Sequence, residues 1–122
     1  MKQIPENLLN TFRKYDTPTI VNSLELLDSK FRTSCFTTEQ MICVDTTLPP
    51  IVGYARTATI RASSEVDPNT KRDRSLAYYE YVSSGTAPFI SVIQDVDESP
   101  GFGAFWGEVN SNIHNALGVI GV

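Results

Sequence analysis

The apolar positions near the start of the chain repeat at helical spacing and predict two helices. The first should run from Pro5 to about Tyr15, and its apolar stripe consists of Leu8, Leu9 and Phe12. In the second, Thr17 is the predicted N-cap and Pro18 the first helical residue. Its apolar face consists of Ile20, Val21, Leu24 and Leu27. Asp28 and Ser29 should close this second helix.

Alternating or continuously apolar segments predict strands further along the chain. Between Val52 and Ala62 the side chains alternate, with Tyr54, Ala58 and Ile60 on the apolar face. This pattern predicts a half-buried strand, and its length favours a central place in the sheet. The mostly apolar run from Pro88 to Val96 predicts a strand buried on both faces. A shorter apolar run from Met41 to Val44 predicts one more short strand.

Helical patterns separate and follow these strands. A polar surface loop is expected from Ser63 to Arg74, with a helix from Arg72 to Ser84 that Gly85 ends. The apolar positions of that helix are Leu76, Tyr79 and Val82. The last predicted helix has its apolar face at Val109, Ile113, Ala116 and Leu117, and it ends at Gly118.

The C-terminal part of the sequence therefore predicts a βαβ unit. Its strands should be parallel and its crossover right-handed, so the predicted fold class is α/β. Such units bind ligands beyond the carboxyl ends of their strands. Val119 to Val122 would open a buried strand, which is an unusual place for a domain to finish. We therefore expect residues 1–122 to be one domain, truncated within the βαβ unit, that continues beyond Val122.

Composition narrows the class of partner. The chain has 122 residues, of which 41% are hydrophobic, and this suits one compact domain with a single core. Its formal net charge is -4 and its ten lysines and arginines are scattered, so we expect no nucleic-acid partner. The N-terminus lacks the apolar stretch of a signal peptide, and no segment is long enough to span a bilayer. These features predict a cytoplasmic protein that binds small molecules or other proteins.

The two cysteines do not predict a metal site. Cys35 and Cys43 lack CxxC spacing and have no histidines near them in sequence, which argues against zinc. Both should be reduced in a cytosolic chain. Cys43 belongs to the apolar run of the short predicted strand, so we expect its thiol to pack as a small hydrophobe.

The strongest chemical signal lies where the glycine-rich loop meets the last helix. Free N–H groups and the helix dipole make such a start a site for a carboxylate or a phosphate. Gly107 would let the ligand approach the backbone closely. Glu108 could hold a metal-bound water or act as a base, although its plainer role is to complement the dipole. The predicted binding residues are Gly107, Glu108, Val109 and Asn110.

Other candidate groups have simpler interpretations. The loop fits neither phosphate-binding glycine motif. His114, the only histidine, is expected at the surface or at the helix end. Asp95 and Asp97 could help hold a hydrated cation, but loop capping is favoured, because aspartate commonly binds the backbone of its own turn. Three tyrosines should spread over core and rim, and these are Tyr78, Tyr79 and Tyr81.

Four segments together resemble the RraA-like proteins. They are YDTPTIVNSLELL, VGYARTATIRA, PFISVIQDVD and GAFWGEVNSNIHNALGVIGV. This family contains the regulator of ribonuclease E activity and the 4-hydroxy-4-methyl-2-oxoglutarate/4-carboxy-4-hydroxy-2-oxoadipate aldolases, and its members are often mislabelled demethylmenaquinone methyltransferases. The resemblance runs along nearly the whole chain but matches only the N-terminal portion, about the first half, of a typical member. It rests on the order and spacing of the segments.

The resemblance implies a swivelling β/β/α fold, assembled into trimers or hexamers with sites between subunits. In the aldolases of the family, a G-[DE]-x-x turn binds an oxo-acid carboxylate through backbone amides, and this turn matches Gly107 to Asn110. The acidic residue, here Glu108, helps hold water on a divalent metal. An Arg-Asp pair that follows the next strand polarises the oxo group and ligates the metal, and this sequence ends before any such pair.

Two functions remain open for the intact protein. The first is a magnesium- or manganese-dependent lyase that cleaves a 4-hydroxy-2-oxo acid to pyruvate. The alternative is a non-enzymatic regulator that binds a ribonuclease. In either case the 122-residue chain alone should be inactive and should bind no metal tightly.

Overall fold

The computed structural model of the protein describes residues 3–34, 36–38 and 40–122. These residues form four α-helices, one short 3-10 helix and three strands. None of the helices in these ranges is long and apolar enough to cross a membrane. The chain divides into two compact units, and the division falls between Val52 and Gly53. The first unit is helical and the second is α/β.

The helical unit begins much as its apolar pattern predicts. The helices are α1 (Glu6–Phe12), α2 (Thr17–Leu27) and a 3-10 helix (Ser29–Arg32). The N-cap of α2 is Asp16, whose carboxylate accepts a hydrogen bond from the Thr19 amide at 2.9 Å. The prediction of Thr17 as the N-cap is therefore wrong by one residue, because a carboxylate was available one position earlier.

The predicted strand from Met41 to Val44 does not form. These residues lie in irregular, exposed chain, where a short apolar run has no partner strand to pair with. Cys43 is likewise exposed, and its thiol donates to the Asp45 carbonyl oxygen at 3.2 Å. Its predicted role in packing is therefore wrong. Cys35 lies outside the described residues.

The second unit confirms the α/β class and the parallel βαβ arrangement. Its three strands are β1 (Tyr54–Ile60), β2 (Phe89–Asp95) and β3 (Val119–Gly121). They lie in the order β1-β2-β3, and both pairs of neighbours are parallel. Strand β1 lies at one edge of this sheet and pairs Tyr54 with Phe89, so its predicted central place is wrong and β2 is the middle strand. Helix α3 (Pro68–Ser83) connects β1 to β2, and helix α4 (Glu108–Ala116) connects β2 to β3.

Helix α3 begins earlier than the apolar pattern predicts. The Asp67 carboxylate caps it and accepts hydrogen bonds from the amides of Asn69 and Thr70 at 3.1 and 3.0 Å. Asp67 and Pro68 are a cap and first helical residue, so the predicted surface loop ends at the cap. Leu76 is 55% exposed, which corrects its assignment to the apolar face. At the other end, Gly85 has a φ of +92° and ends the helix as predicted.

A small apolar core joins the sheet to the two helices of this unit. Val82 of α3, Phe89 of β2 and Val119 of β3 are buried together, and Tyr54, Tyr78 and Leu117 pack against them. Arg56 of β1 lies on the same face. Its Nε donates to the Val82 carbonyl at 3.1 Å and its Nη2 to that of Ser84, so its cation caps the C-terminus of α3.

The other face of the sheet is open. Along β2 the side chains of Phe89 and Ser91 are buried on one face, whereas Val92, which follows Ser91 and points to the other face, is 44% exposed. Ile120 of β3 is also 44% exposed. The prediction that β2 is buried on both faces is therefore wrong, because an apolar run alone does not show whether a second layer is present.

Candidate functional site

The carboxyl ends of β1 and β2 are tied together by a buried carboxylate. Asp97 is 7% exposed and accepts hydrogen bonds from the Ala62 amide at 2.8 Å, the Ser63 amide at 3.2 Å and the Ser63 hydroxyl at 2.5 Å. The Ser63 hydroxyl, helped by these amides and by the positive charge of Arg61, holds the pKa of Asp97 below its usual range.

The neighbouring Asp95 fixes the loop after β2. One of its carboxylate oxygens accepts from the Asp97 amide at 2.9 Å, and the other accepts from the Gly101 amide at 2.7 Å. Gly101 has a φ of +87°, a conformation that favours glycine. The predicted loop-capping role is confirmed for Asp95. For Asp97 it is wrong, because its carboxylate accepts from Ala62 and Ser63, which lie after β1 and outside its own turn.

The glycine-rich loop delivers the chain to the start of α4, where the predicted binding residues lie. Gly107 is the N-cap, and no side chain in the described part of the chain caps this helix. Its first intrahelical bond runs from the Ser111 amide to the Gly107 carbonyl at 2.9 Å. The amides of Glu108, Val109 and Asn110 precede that bond and are therefore available as donors. Gly107 and the side chains of Glu108 and Val109 are exposed.

Asn110 differs from the other three predicted residues, because its side chain is held by the protein. Its Nδ2 donates to the Phe105 carbonyl at 2.5 Å, and its Oδ1 accepts from the Tyr79 hydroxyl at 3.1 Å. These bonds connect the loop, the first turn of α4 and α3. The orientation of the first turn of α4 is therefore fixed from inside the unit.

His114 lies one turn further along α4, bonds the first turn of that helix, and is buried, with 2% of its surface exposed. Its Nδ1 donates to the Asn110 carbonyl at 2.7 Å, since a carbonyl can only accept. In the neutral ring Nε2 then accepts from the Tyr78 hydroxyl at 2.8 Å, and Tyr78 also bonds the Ser91 hydroxyl at 3.0 Å. Burial raises the pKa of Tyr78. A surface position for His114 is wrong, although it does lie in the last turn of α4.

The buried face of α4 is therefore partly polar, which explains why its apolar positions did not predict correctly which residues face the core. Val109 and Ala116 are exposed, although both were predicted to face the core. The inward positions follow a three- and four-residue spacing. They are Asn110, Ile113, His114 and Leu117. The tyrosines behave as predicted, with Tyr78 and Tyr79 partly buried and Tyr81 exposed.

Beside this helix start lies a cleft of about 830 Å³ between the end of β1, the first turns of α3 and the loop before α4. Asn110 and Phe105 line it on the α4 side, and three cations line it opposite. Those cations are Arg61, Lys71 and Arg74. The cleft has no aspartate or glutamate among its described lining residues.

Sequence reasoning missed this cationic grouping and treated the basic residues as scattered. The signal that could have found it is the Asp67-Pro68 cap. Starting α3 there places Lys71, Arg74, Ser75 and Tyr78 on one stripe, at helical spacing.

The described residues do not by themselves form a metal centre. No three histidine, cysteine, aspartate or glutamate side chains within them come together as a metal-binding group. Glu108 is exposed at the first position of α4, so one carboxylate could touch a hydrated cation but could not hold it alone.

Comparison of the chain with models of protein families, with curated proteins and with solved structures gives no match.

Proposed function

We propose that the start of α4 binds the carboxylate of a small oxo acid, and that the intact protein is an RraA-like lyase dependent on a divalent metal. The reaction proposed is cleavage of a 4-hydroxy-2-oxo acid to pyruvate. One observation supports this proposal most directly. The first turn of α4 presents uncapped amides at Glu108, Val109 and Asn110, beside a cleft whose charged lining groups are cations.

The helix start suits a carboxylate for two physical reasons. Its first amides point out of the helix, and the helix dipole places partial positive charge on them. Gly107 adds no side chain in front of them. A Cβ built at Gly107 would have no atom within 4 Å, so the space before the amides is open.

The surrounding residues keep these amides in place. His114 and the side chain of Asn110 connect the first turn of α4 to α3 and to the preceding loop. Fixed donors lose little entropy when a ligand arrives, which is the benefit of a preorganised site. The contribution of the described residues is therefore to bind and orient the carboxylate. The magnesium or manganese of the proposed lyase would stabilise the negative charge that develops on the substrate during cleavage.

Replacing Gly107 with aspartate should abolish oxalate binding at the α4 amides. The new carboxylate would stand at the N-cap and accept from the amides that the ligand needs. Because Gly107 has an extended φ of -167° and open space around it, the fold should tolerate this change. Helix stability should rise by only a few tenths of a kcal/mol, since glycine is already an acceptable N-cap.

Amide chemical shifts of the 15N-labelled chain, titrated with oxalate, measure this effect. In the unmodified protein the shifts of Glu108, Val109 and Asn110 should move and saturate at millimolar oxalate, and in Gly107→Asp they should not. Gly107→Ala is the matched control and should keep most of the response. An equal response of all three proteins would place the carboxylate elsewhere.

The proposal includes homo-oligomers, and the open face of the sheet gives an independent reason to expect self-association. Val92 and Ile120 expose apolar surface there, and β3 is an unpaired edge in the described chain. Light scattering should show an average mass that rises with protein concentration. Val92→Glu should weaken this association, whereas Leu76→Glu, on exposed α3 surface, should not. A monomer at every concentration would contradict the prediction.

A further inference from the structure

The cationic side of the cleft has its own recognition chemistry, separate from the α4 amides. We propose that Lys71 and Arg74, with Arg61 beside them, form a binding site for a small, multiply charged anion whose charged groups are carboxylates or phosphates. This site goes beyond the proposed function, because an anion could bind it without touching α4. The observation behind it is that three cations line one cleft in a chain whose net charge is -4.

The two helix cations project to the same side. Lys71 and Arg74 are three positions apart on α3, and Tyr78 continues the same stripe into the cleft. Arg72 lies between them in sequence but does not line the cleft. The convergence of Lys71 and Arg74 is therefore a property of the helix face, and it does not follow from the basic composition of the segment.

Lys71 and Arg74 form no ion pair with any described residue. Among the described residues, no carboxylate lies within 4.0 Å of the charged atoms of Lys71 or Arg74. Arg61 is partly committed, since its Nη2 donates to the Val96 carbonyl at 3.3 Å and its charge acts on Asp97. Lys71 and Arg74 are consequently the two cations of the site that can pair with a bound anion.

Their position on α3 raises the local positive potential further. Lys71 lies at the end of the first turn, where the helix dipole is positive and where cations are normally disfavoured. Arg74 lies one turn further along and adds its own charge. The first turn holds no acidic residue to offset them, and the Asp67 cap is engaged with its own amides. An anion in the cleft would relieve this repulsion and gain charge-assisted hydrogen bonds from both side chains.

The other polar groups of the stripe are already bonded. The Ser75 hydroxyl donates to the Lys71 carbonyl at 2.9 Å, and the Tyr78 hydroxyl is bonded to the Ser91 hydroxyl and to Nε2 of His114. Recognition would therefore come from charge, with affinity that falls as salt rises because all three cations are solvent-exposed. A volume of about 830 Å³ admits a small organic anion as well as inorganic phosphate.

Titration of the 15N-labelled chain with inorganic phosphate and, separately, with succinate tests this site, each against sodium chloride at equal ionic strength. In the unmodified protein we expect saturable shifts at the amides around Arg61 and in the first turns of α3. The double variant Lys71→Gln/Arg74→Gln should weaken binding about tenfold or more. Arg72→Gln removes one charge from the same helix and should change affinity by less than about twofold. The swap Lys71→Arg/Arg74→Lys keeps both charges and should retain binding.

Saturation by phosphate alone or by succinate alone would support the site and identify the anionic group it takes. Equal shifts with chloride, or an equal loss in Arg72→Gln, would overturn it. The proposed carboxylate site at α4 has its own test, which is the change in the amide shifts of Glu108 to Asn110 on addition of oxalate. Those shifts should still saturate in the double variant, although the loss of two nearby positive charges should weaken the affinity for oxalate. Phosphate shifts confined to these α4 amides would refute the cationic site and leave the α4 site standing.

Discussion

Replacing Phe89 with alanine should lower the free energy of unfolding of the α/β unit by about 3–5 kcal/mol. Phe89 is 1% exposed and packs with Val82 of α3 and Val119 of β3, so it connects the middle strand to a crossover helix and to the neighbouring strand. The guanidinium of Arg56 also stacks over its ring, 4.1 Å from the ring centroid. Small domains are stable by only about 5–15 kcal/mol, so this one change should remove a large part of the total.

Urea denaturation followed by circular dichroism measures this loss. Val92→Ala is the matched control, because Val92 lies on the same strand but points to the open face and is 44% exposed. It should cost less than about 1 kcal/mol. Similar losses at both positions would show that the second face of β2 is buried in solution.

Asp97→Asn should produce the second large loss of stability, and the loss should depend on pH. The buried Asp97 carboxylate receives donors from Ala62 and Ser63, and the amide group of asparagine cannot accept all of them. The midpoint of thermal unfolding at pH 7 should fall by several degrees. The linked ends of β1 and β2 should separate first, because Asp97 joins them.

The direction of the pH dependence follows from the lowered pKa of Asp97. Its charged form is favoured in the folded protein, so its stabilisation is fully present above the unfolded pKa of about 3.9 and is lost as pH falls through the lower folded pKa. The difference between the unmodified protein and Asp97→Asn should therefore shrink below about pH 4. Asp73→Asn, a control on exposed α3 surface, should change the midpoint of thermal unfolding at pH 7 much less than Asp97→Asn does. A gap that stays constant down to pH 2 would contradict this role.

Local sequence signals predicted those features of the α/β unit that depend only on neighbouring residues, such as helix ends and strand alternation. Gly85 and Gly118 both adopt positive φ where helices end, and the alternation in β1 matches its burial. The start of α4 at Glu108 also follows from the loop composition. In the candidate site, the positions of Gly107 to Asn110 were therefore predictable, because a helix start is a local feature.

Features that depend on distant partners were not predictable in this way. His114 is buried because Tyr78, 36 residues away, supplies a hydroxyl to its ring, and nothing next to His114 in sequence indicates that. Asp97 receives its donors from residues 34 and 35 positions earlier. The edge position of β1 depends on which strands are present, and its own length does not determine it. The cationic cleft was missed for both reasons, since it needed the correct start of α3 and the meeting of separate segments.

Trp106 gives the proposed site an optical reporter of its own. It is the only tryptophan, it directly precedes Gly107, and its ring lies 4.7 Å from that of His114 in an edge-to-face arrangement. Indole emission responds to the polarity around the ring, and Trp106 is partly exposed at the mouth of the first turn. A ligand that displaces water from Gly107 should therefore shift the fluorescence of the unlabelled protein. Ligand binding at the start of α4 can then be followed by the fluorescence of Trp106, in the protein without any substitution or label.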